Sequence, residues 1–195
     1  ADIFIENFRP GVMQRFGLDY ASVAEDQPHL VYCSISGFGQ QGPFAQHGAY
    51  APIAHASSGY DKAHMAGQAD PDGEPQRSGI MIADMLTGAY AFGAVQTALL
   101  GRSQTGKGDH IDISMQESMM MMIPAQIQAA QVESPPRAGG FRPIRVKDGH
   151  VMVCVVSERN FQCLCRAINR PDMLGDDRFA RGNRFRNMDA LVVAM

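Results

Sequence analysis

Apolar positions recur along this chain in short blocks of two kinds. The runs 2–5 (DIFI) and 29–36 (HLVYCSIS) are apolar and rich in β-branched residues, as buried strands are. Between them, Val12 to Val23 repeats with helical spacing and stops near Pro28, so the pattern predicts a β-α-β unit. From Gly37 to Gly79 the chain is loop-like, with turn signals at Gly42-Pro43 and Asp72-Gly73, and only Ala51 to Ser58 has helical periodicity. A helix is then expected from about Asp84 to Leu100, its small residues Gly88, Ala89, Ala91, Gly93 and Ala94 admitting another backbone. Strand HIDIS follows, then a helix from Met115 to Gln131. Its block Met119–Met122 covers every side, which predicts burial all round, with a methionine-lined ligand pocket as the alternative.

Beyond Gln131 the segment Ser134–Gly140 (SPPRAGG) reads as a linker. After it, VKDGHVMVCVV carries Asp148-Gly149 between β-branched stretches, the signal of a type I′ hairpin, and Glu158 to Ile168 is helical in period. The fold class is therefore α/β. Residues 1–135 form part of a larger α/β domain with linking helices, and residues 136–195 form a linker and the start of a smaller α+β domain.

Composition narrows the chemistry. The 195 residues are 45% hydrophobic and 19% charged, with a net charge of −3, which gives no broad nucleic-acid footprint. No apolar run reaches the roughly 20 residues that a membrane span needs. Cys33, Cys154, Cys163 and Cys165 lie in apolar runs without zinc-site spacing, so core thiols in a reducing, cytoplasmic setting are expected and no metal is called for. The chain starts without Met and stops inside an apolar run, which suggests the middle of a longer protein.

One carboxylate stands out. Asp84 lies in the run GIMIADMLTGAYAF, where Ile80, Met81, Ile82, Met85 and Leu86 would desolvate it and raise its pKa, while free amides of a helix N-terminus would favour the anion. Two readings stay open: a nucleophile in a dry site, or a helix N-cap with Thr87 three residues on. Near the amino terminus, ENFRPG follows strand DIFI. Asn7, Arg9 and Arg15 with the amides of the helix beginning after Gly11 would make an anion-binding corner, and Phe8 and Phe16 could flank a flat ring. The alternative is a Pro-Gly helix start with solvated arginines. Other motifs lead nowhere. GRSQTGKG (Gly101–Gly108) nearly spells a phosphate loop, but Gly108 replaces the required hydroxyl and the segment runs from helix to strand, so it reads as a helix cap. No nucleophile elbow is present, and His55 in an apolar helix reads as a structural histidine.

The motifs ENFRPGVMQRFG, SGFGQQGPF, GAYAPIAHASSGY, IADMLTG and RSQTGKGDHIDISMQES, in this order, resemble those of the family III CoA-transferases, a group that also includes the α-methylacyl-CoA racemases. The resemblance covers nearly the whole chain and weakens after Pro136. It implies a Rossmann-like CoA-binding domain in an interlocked homodimer, with acyl-CoA and a small carboxylic acid as substrates. It implies that Asp84 is the nucleophile, that Asn7, Phe8, Arg9, Gly11, Arg15 and Phe16 lie at the CoA nucleotide, and that Tyr50 lies near the thioester. Two departures matter. Tyr50-Ala51 stands where racemases have a His-Asp pair, which favours transfer over racemisation, and Gly48-Ala49 replaces a basic residue that some members carry. A racemase and a non-catalytic CoA-binding or dimerising piece remain the alternatives.

Overall fold

The computed structural model describes residues 1–65, 73–75, 79–132 and 141–195. The linker expected over Ser134–Gly140, and Asp72 of the expected Asp72-Gly73 turn, lie outside them. The chain divides into two units, Ala1–Val132 and Glu133–Met195.

In the first unit three parallel strands, β1 (Ile3–Glu6), β2 (Val31–Ser36) and β3 (His110–Ser114), pair in the order β1-β2-β3, with Ile3 opposite Val31 and Tyr32 opposite His110. β2 is central, and Val31 and Cys33 are wholly buried. β1 departs from the buried type, because it stands at the edge of the sheet and leaves Ile5 58% exposed. Between β1 and β2 the expected single helix is two, α1 (Val12–Arg15) and α2 (Tyr20–Asp26). Gly17, at φ +67°, turns the chain left-handed between them, a conformation that no helix interior accepts.

The loop region holds α3 (Ala51–Ser57) and a helix the periodicity did not reveal, α4 (Tyr60–Met65). The long helix α5 (Ile82–Thr105) begins earlier and ends later than its pattern implies. Its Ala91 and Val95 pack on Val31 and Cys33 of β2, with Ile111 and Ile113 of β3 against them. Gly88 and Gly93 face open space instead, so Ala83 and Ala91 are the small residues that permit close packing. No helix among the described residues is long and apolar enough to cross a membrane.

After β3, the predicted helix Met115–Gln131 is broken into α6 (Met115–Met120) and α7 (Pro124–Gln131). Pro124 cannot donate to the preceding turn and restricts the residue before it, so α6 stops and a new helix starts. The break overturns the expectation of all-round burial. Met119 is buried, whereas Met120, Met121 and Met122 are exposed.

The second unit opens on the antiparallel hairpin β4 (Phe141–Val146) and β5 (Gly149–Cys154), followed by α8 (Glu158–Ala167), two short 3₁₀ turns and α9 (Met188–Ala194). Val146 pairs with Gly149, so the turn residues are Lys147 and Asp148, not Asp148-Gly149. The turn is not type I′, since both central residues would need positive φ and Asn169 is the sole non-glycine with one among the described residues. Phe161, Phe179, Met173 and Leu191 form the core. The buried Arg184 guanidinium lies over the Phe161 ring at 3.9 Å, donates to the Phe179 carbonyl at 2.9 Å and pairs with Glu158 at 2.7 Å. Cys33 and Cys165 are buried, which pushes both thiols up, but Cys154 and Cys163 are exposed, contrary to a set of four core thiols. Cys163 stands two positions from Cys165 on α8, on another face.

The Gly101–Gly108 segment is structural. Gly106 caps α5 in the left-handed region, its N–H donating to the Arg102 carbonyl at 2.7 Å, and the Gly108 N–H donates to the Pro28 carbonyl at 2.8 Å. A Cβ on Gly108 would overlap the Leu30 carbonyl, which is backbone and cannot move aside. Gly106→Ala should therefore lower stability by about 1 kcal/mol, whereas Gly108→Ala should cost at least about 3 kcal/mol. Chemical unfolding of the two variants measures the difference.

Candidate active site

Five of the functional side chains proposed from sequence come from ends of secondary structure in the first unit. β1 ends at Glu6 and hands the chain to Asn7, Phe8 and Arg9; Tyr50 is the N-cap residue of α3; Asp84 is the third residue of α5. The N-cap of α5 is Met81, so the capping role considered for Asp84 is not realised, and the Thr87 hydroxyl instead donates to the Ala83 carbonyl at 2.6 Å.

Packing of α3 on α5 sets the geometry. Ala51, Ala54 and Ala83 are all essentially inaccessible and form one cluster with Met115 and Met119. Beside them the Ala83 N–H, one of the free amides at the start of α5, donates to His55 Nε2 at 3.2 Å. Accepting that bond requires an unprotonated Nε2, so the neutral ring carries its hydrogen on Nδ1. His55 is thus satisfied, and it is also a group that ties α3 to the turn bearing Asp84.

With the two helices so fixed, Asp84, Tyr50, Asn7 and Ser36 line one cavity of about 330 Å³, floored by Met115 and Thr87. Among the described residues the Asp84 carboxylate accepts no hydrogen bond and meets no cation. Its expected dry environment is not found in the single chain. Asp84 is exposed, and Met85 on the helix and Ile80 and Met81 just before it are exposed with it rather than turned into the core. Ser36 was not singled out by the sequence. Its hydroxyl is buried at the end of β2 and has no partner, an uncompensated polar group on the wall of the site.

A second cavity, of about 450 Å³, shares Asn7, Ser36, Gly37, Ala49 and Tyr50 with the first and extends to Phe8, Arg9 and His47. A third, of about 420 Å³, lies beyond Arg9 and is lined by Glu6, Gly11, Tyr20, Tyr32 and His110. There Tyr20 stacks on His110 at 4.7 Å and His110 Nε2 lies 3.0 Å from the Ser34 hydroxyl. Burial, with the carboxylates of Glu6 and Asp19, pushes the Tyr32 phenol up to about 12, so it stays a donor to the Leu18 carbonyl at 2.8 Å. Arg15 and Phe16 line none of these three cavities and stand exposed on α1 and after it. The geometry thus brings together Asp84, Tyr50, Asn7, Phe8 and Arg9, puts Gly11 at the far end, and leaves Arg15 and Phe16 apart.

The profile described as CoA-transferase family III matches residues 1–195. The chain is 36% identical to the acetyl-CoA:oxalate CoA-transferase of Acetobacter aceti, over 100% of this chain and 52% of that protein. It is 33% identical to the succinyl-CoA:glutarate CoA-transferase of Mus musculus, over 98% of this chain and 45% of that one. Among solved structures it is similar to a CAIB/BAIF family protein from Brucella suis, with a TM-score of 0.75 and 32% identity over 100% of this chain and 53% of that chain. It is also similar to Rv3272 of Mycobacterium tuberculosis, with a TM-score of 0.86 and 27% identity over 100% and 53%. The chain spans about half the length of the curated relatives it matches.

His55→Ala should remove the acceptor for Ala83 and lower stability by about 1–2 kcal/mol, while His55→Gln keeps an acceptor and recovers part of the loss. Ser36→Ala should act in the opposite sense and raise stability by about 1 kcal/mol, because it deletes a desolvated hydroxyl that has no bond to lose. Thermal unfolding of the three variants gives the comparison.

Proposed function

We propose, because this chain belongs to CoA-transferase family III, that the protein moves CoA from an acyl-CoA thioester to a small carboxylic acid by covalent catalysis at Asp84. The observation that carries the reading is the unpartnered Asp84 carboxylate, facing a cavity it shares with Tyr50, Asn7 and the orphaned Ser36 hydroxyl. Asp84 oxygen attacks the thioester carbonyl carbon, the C–S bond breaks, and CoA leaves as thiolate, giving an aspartyl mixed anhydride. The thiolate then attacks the Asp84 carbonyl carbon and expels the donor as its carboxylate, leaving an enzyme-CoA thioester. An acceptor carboxylate attacks that thioester, and the released thiolate takes the new acyl group and frees Asp84.

Overall one thioester is exchanged for another, so the exchange needs no external driving force. It does need water kept away from the anhydride. In the single chain the apolar side chains about Asp84 are exposed, and in this proposal a second copy of the chain covers them, in a homodimer of the interlocked kind. Ser36 and Asn7 supply hydrogen-bonding groups for the thioester end of the ligand, and Phe8 and Arg9 lie toward the nucleotide, where Phe16 and Arg15 join them if the assembled site closes over α1. CoA enters as substrate and no metal takes part. The Asp84 cavity contains one carboxylate and no imidazole among its lining residues, which fits nucleophilic transfer better than a two-base proton exchange at the acyl α-carbon.

Incubation with acyl-CoA and hydroxylamine tests the assignment. The wild-type protein should form a hydroxamate at Asp84, detectable by mass, and Asp84→Asn should lose at least about a thousandfold in turnover while unfolding at the wild-type temperature. An Asp84→Ala protein that still forms the adduct would remove Asp84 from the mechanism.

A further inference from the structure

We infer that Ser36 is a catalytic residue of the transfer, its hydroxyl donating a hydrogen bond to the carbonyl oxygen of the bound thioester as Asp84 attacks; the inference rests on the Asp84 reading above. Ser36 is the last residue of β2, is 7% exposed, and is held in register by its pairing with Ser114 of β3. Its side-chain oxygen is buried without a hydrogen-bond partner. Ser34, Ser58, Ser114, Ser118 and Thr87 carry the other buried serine and threonine hydroxyls among the described residues, and each of these has a partner. The fold therefore satisfies such groups elsewhere and leaves this one at a cost to its own stability. The second orphaned side-chain atom among the described residues, Gln40 Nε2, belongs to a residue lining the cavity beyond Arg9. Ser36 lines the Asp84 cavity itself.

Attack by an Asp84 oxygen forms a C–O bond to the thioester carbon and moves the carbonyl π pair onto the carbonyl oxygen. That pair returns to carbon as the C–S bond breaks and CoA leaves as thiolate. Between the two events the oxygen is an anion, and no cationic residue lines the Asp84 cavity to meet it. A neutral donor must do so. Of the side-chain donors in that lining, Asn7 and Tyr50 are exposed to water, and the Thr87 hydroxyl is already given to the Ala83 carbonyl. Ser36 is the one that is both shielded from solvent and uncommitted. A donor already stripped of water has no solvent to lose when charge develops on the carbonyl oxygen, the circumstance in which a preorganised hydrogen bond stabilises most. With no bond to break, the hydroxyl turns about χ1 towards that oxygen by exchanging one staggered rotamer for another. The proton stays on Ser36 throughout. The same contact serves when thiolate attacks the acyl carbon of the acceptor's anhydride.

Steady-state kinetics and thermal unfolding of the intact protein provide the test. Ser36→Ala should lower kcat about a hundredfold and leave the KM for acyl-CoA unchanged. It should also unfold at a higher temperature than wild type, so that activity and stability move in opposite directions. Ser36→Thr keeps a hydroxyl and should recover most of the lost kcat. An unchanged kcat in Ser36→Ala, a loss confined to KM, or a lowered unfolding temperature overturns the inference, since the hydroxyl would then serve ground-state binding or the fold. Hydroxamate formation at Asp84 in wild type separates those outcomes from a failure of the Asp84 reading. A wild-type protein that forms no adduct overturns that reading, and this inference falls with it.

Discussion

The contact between α3 and the first turn of α5 is the constraint on which the site depends. Alanine side chains at 51, 54 and 83 let the two helices approach until a backbone amide of one reaches an imidazole of the other. A larger residue at any of the three would hold the helices apart. Tyr50 then stands at the start of one helix and Asp84 in the first turn of the other, so their separation is fixed by backbone packing rather than by any bond between their side chains. That arrangement leaves both side chains uncommitted, as the covalent role proposed for Asp84 requires.

The remaining wall follows from the parallel sheet. β1 and β2 run the same way and end side by side, so Asn7 and Ser36 emerge together at the carboxyl ends of neighbouring strands, where open α/β sheets bind their ligands. Gly37 continues the wall, and a Cβ there would sit 2.5 Å from that of Ala49. The loop carrying Ala49 and Tyr50 can thus press against the end of β2 and stand between the cavity that holds Asp84 and the one that reaches Arg9. Charge is distributed in the same sense. Acidic groups lie beyond Arg9, away from Asp84, and the stretch between Arg9 and Asp84 has no other carboxylate in its lining.

Much of this was legible in the chain, and the failures have identifiable causes. β2, β3 and α5 declared themselves because their apolar periods coincide with real burial. β1 carries the same apolar signal at an edge, where composition cannot tell a covered face from an open one. The split at Gly17 and the break before Pro124 were written in single residues that an averaged period smooths over. The hairpin was recognised but slipped by one residue, since a period-two pattern fixes the strands better than the turn. Asp84 was found as an isolated acid among apolar residues, yet its exposure was not, because composition does not reveal that Ile80, Met81 and Met85 all turn outward. The bond between His55 and Ala83 joins residues 28 positions apart, and nothing local in sequence encodes it.

The broken helix after β3 has a chemical consequence of its own. Three neighbouring thioethers, Met120 to Met122, stand in the open while Met119 beside them is sealed. Peroxide would reach the first three and spare the fourth, turning a soft, greasy rim beside Tyr90 into a row of polar sulfoxides without disturbing the interior. Because only open thioethers would be altered, a reductase acting on surface sulfoxides could undo the change.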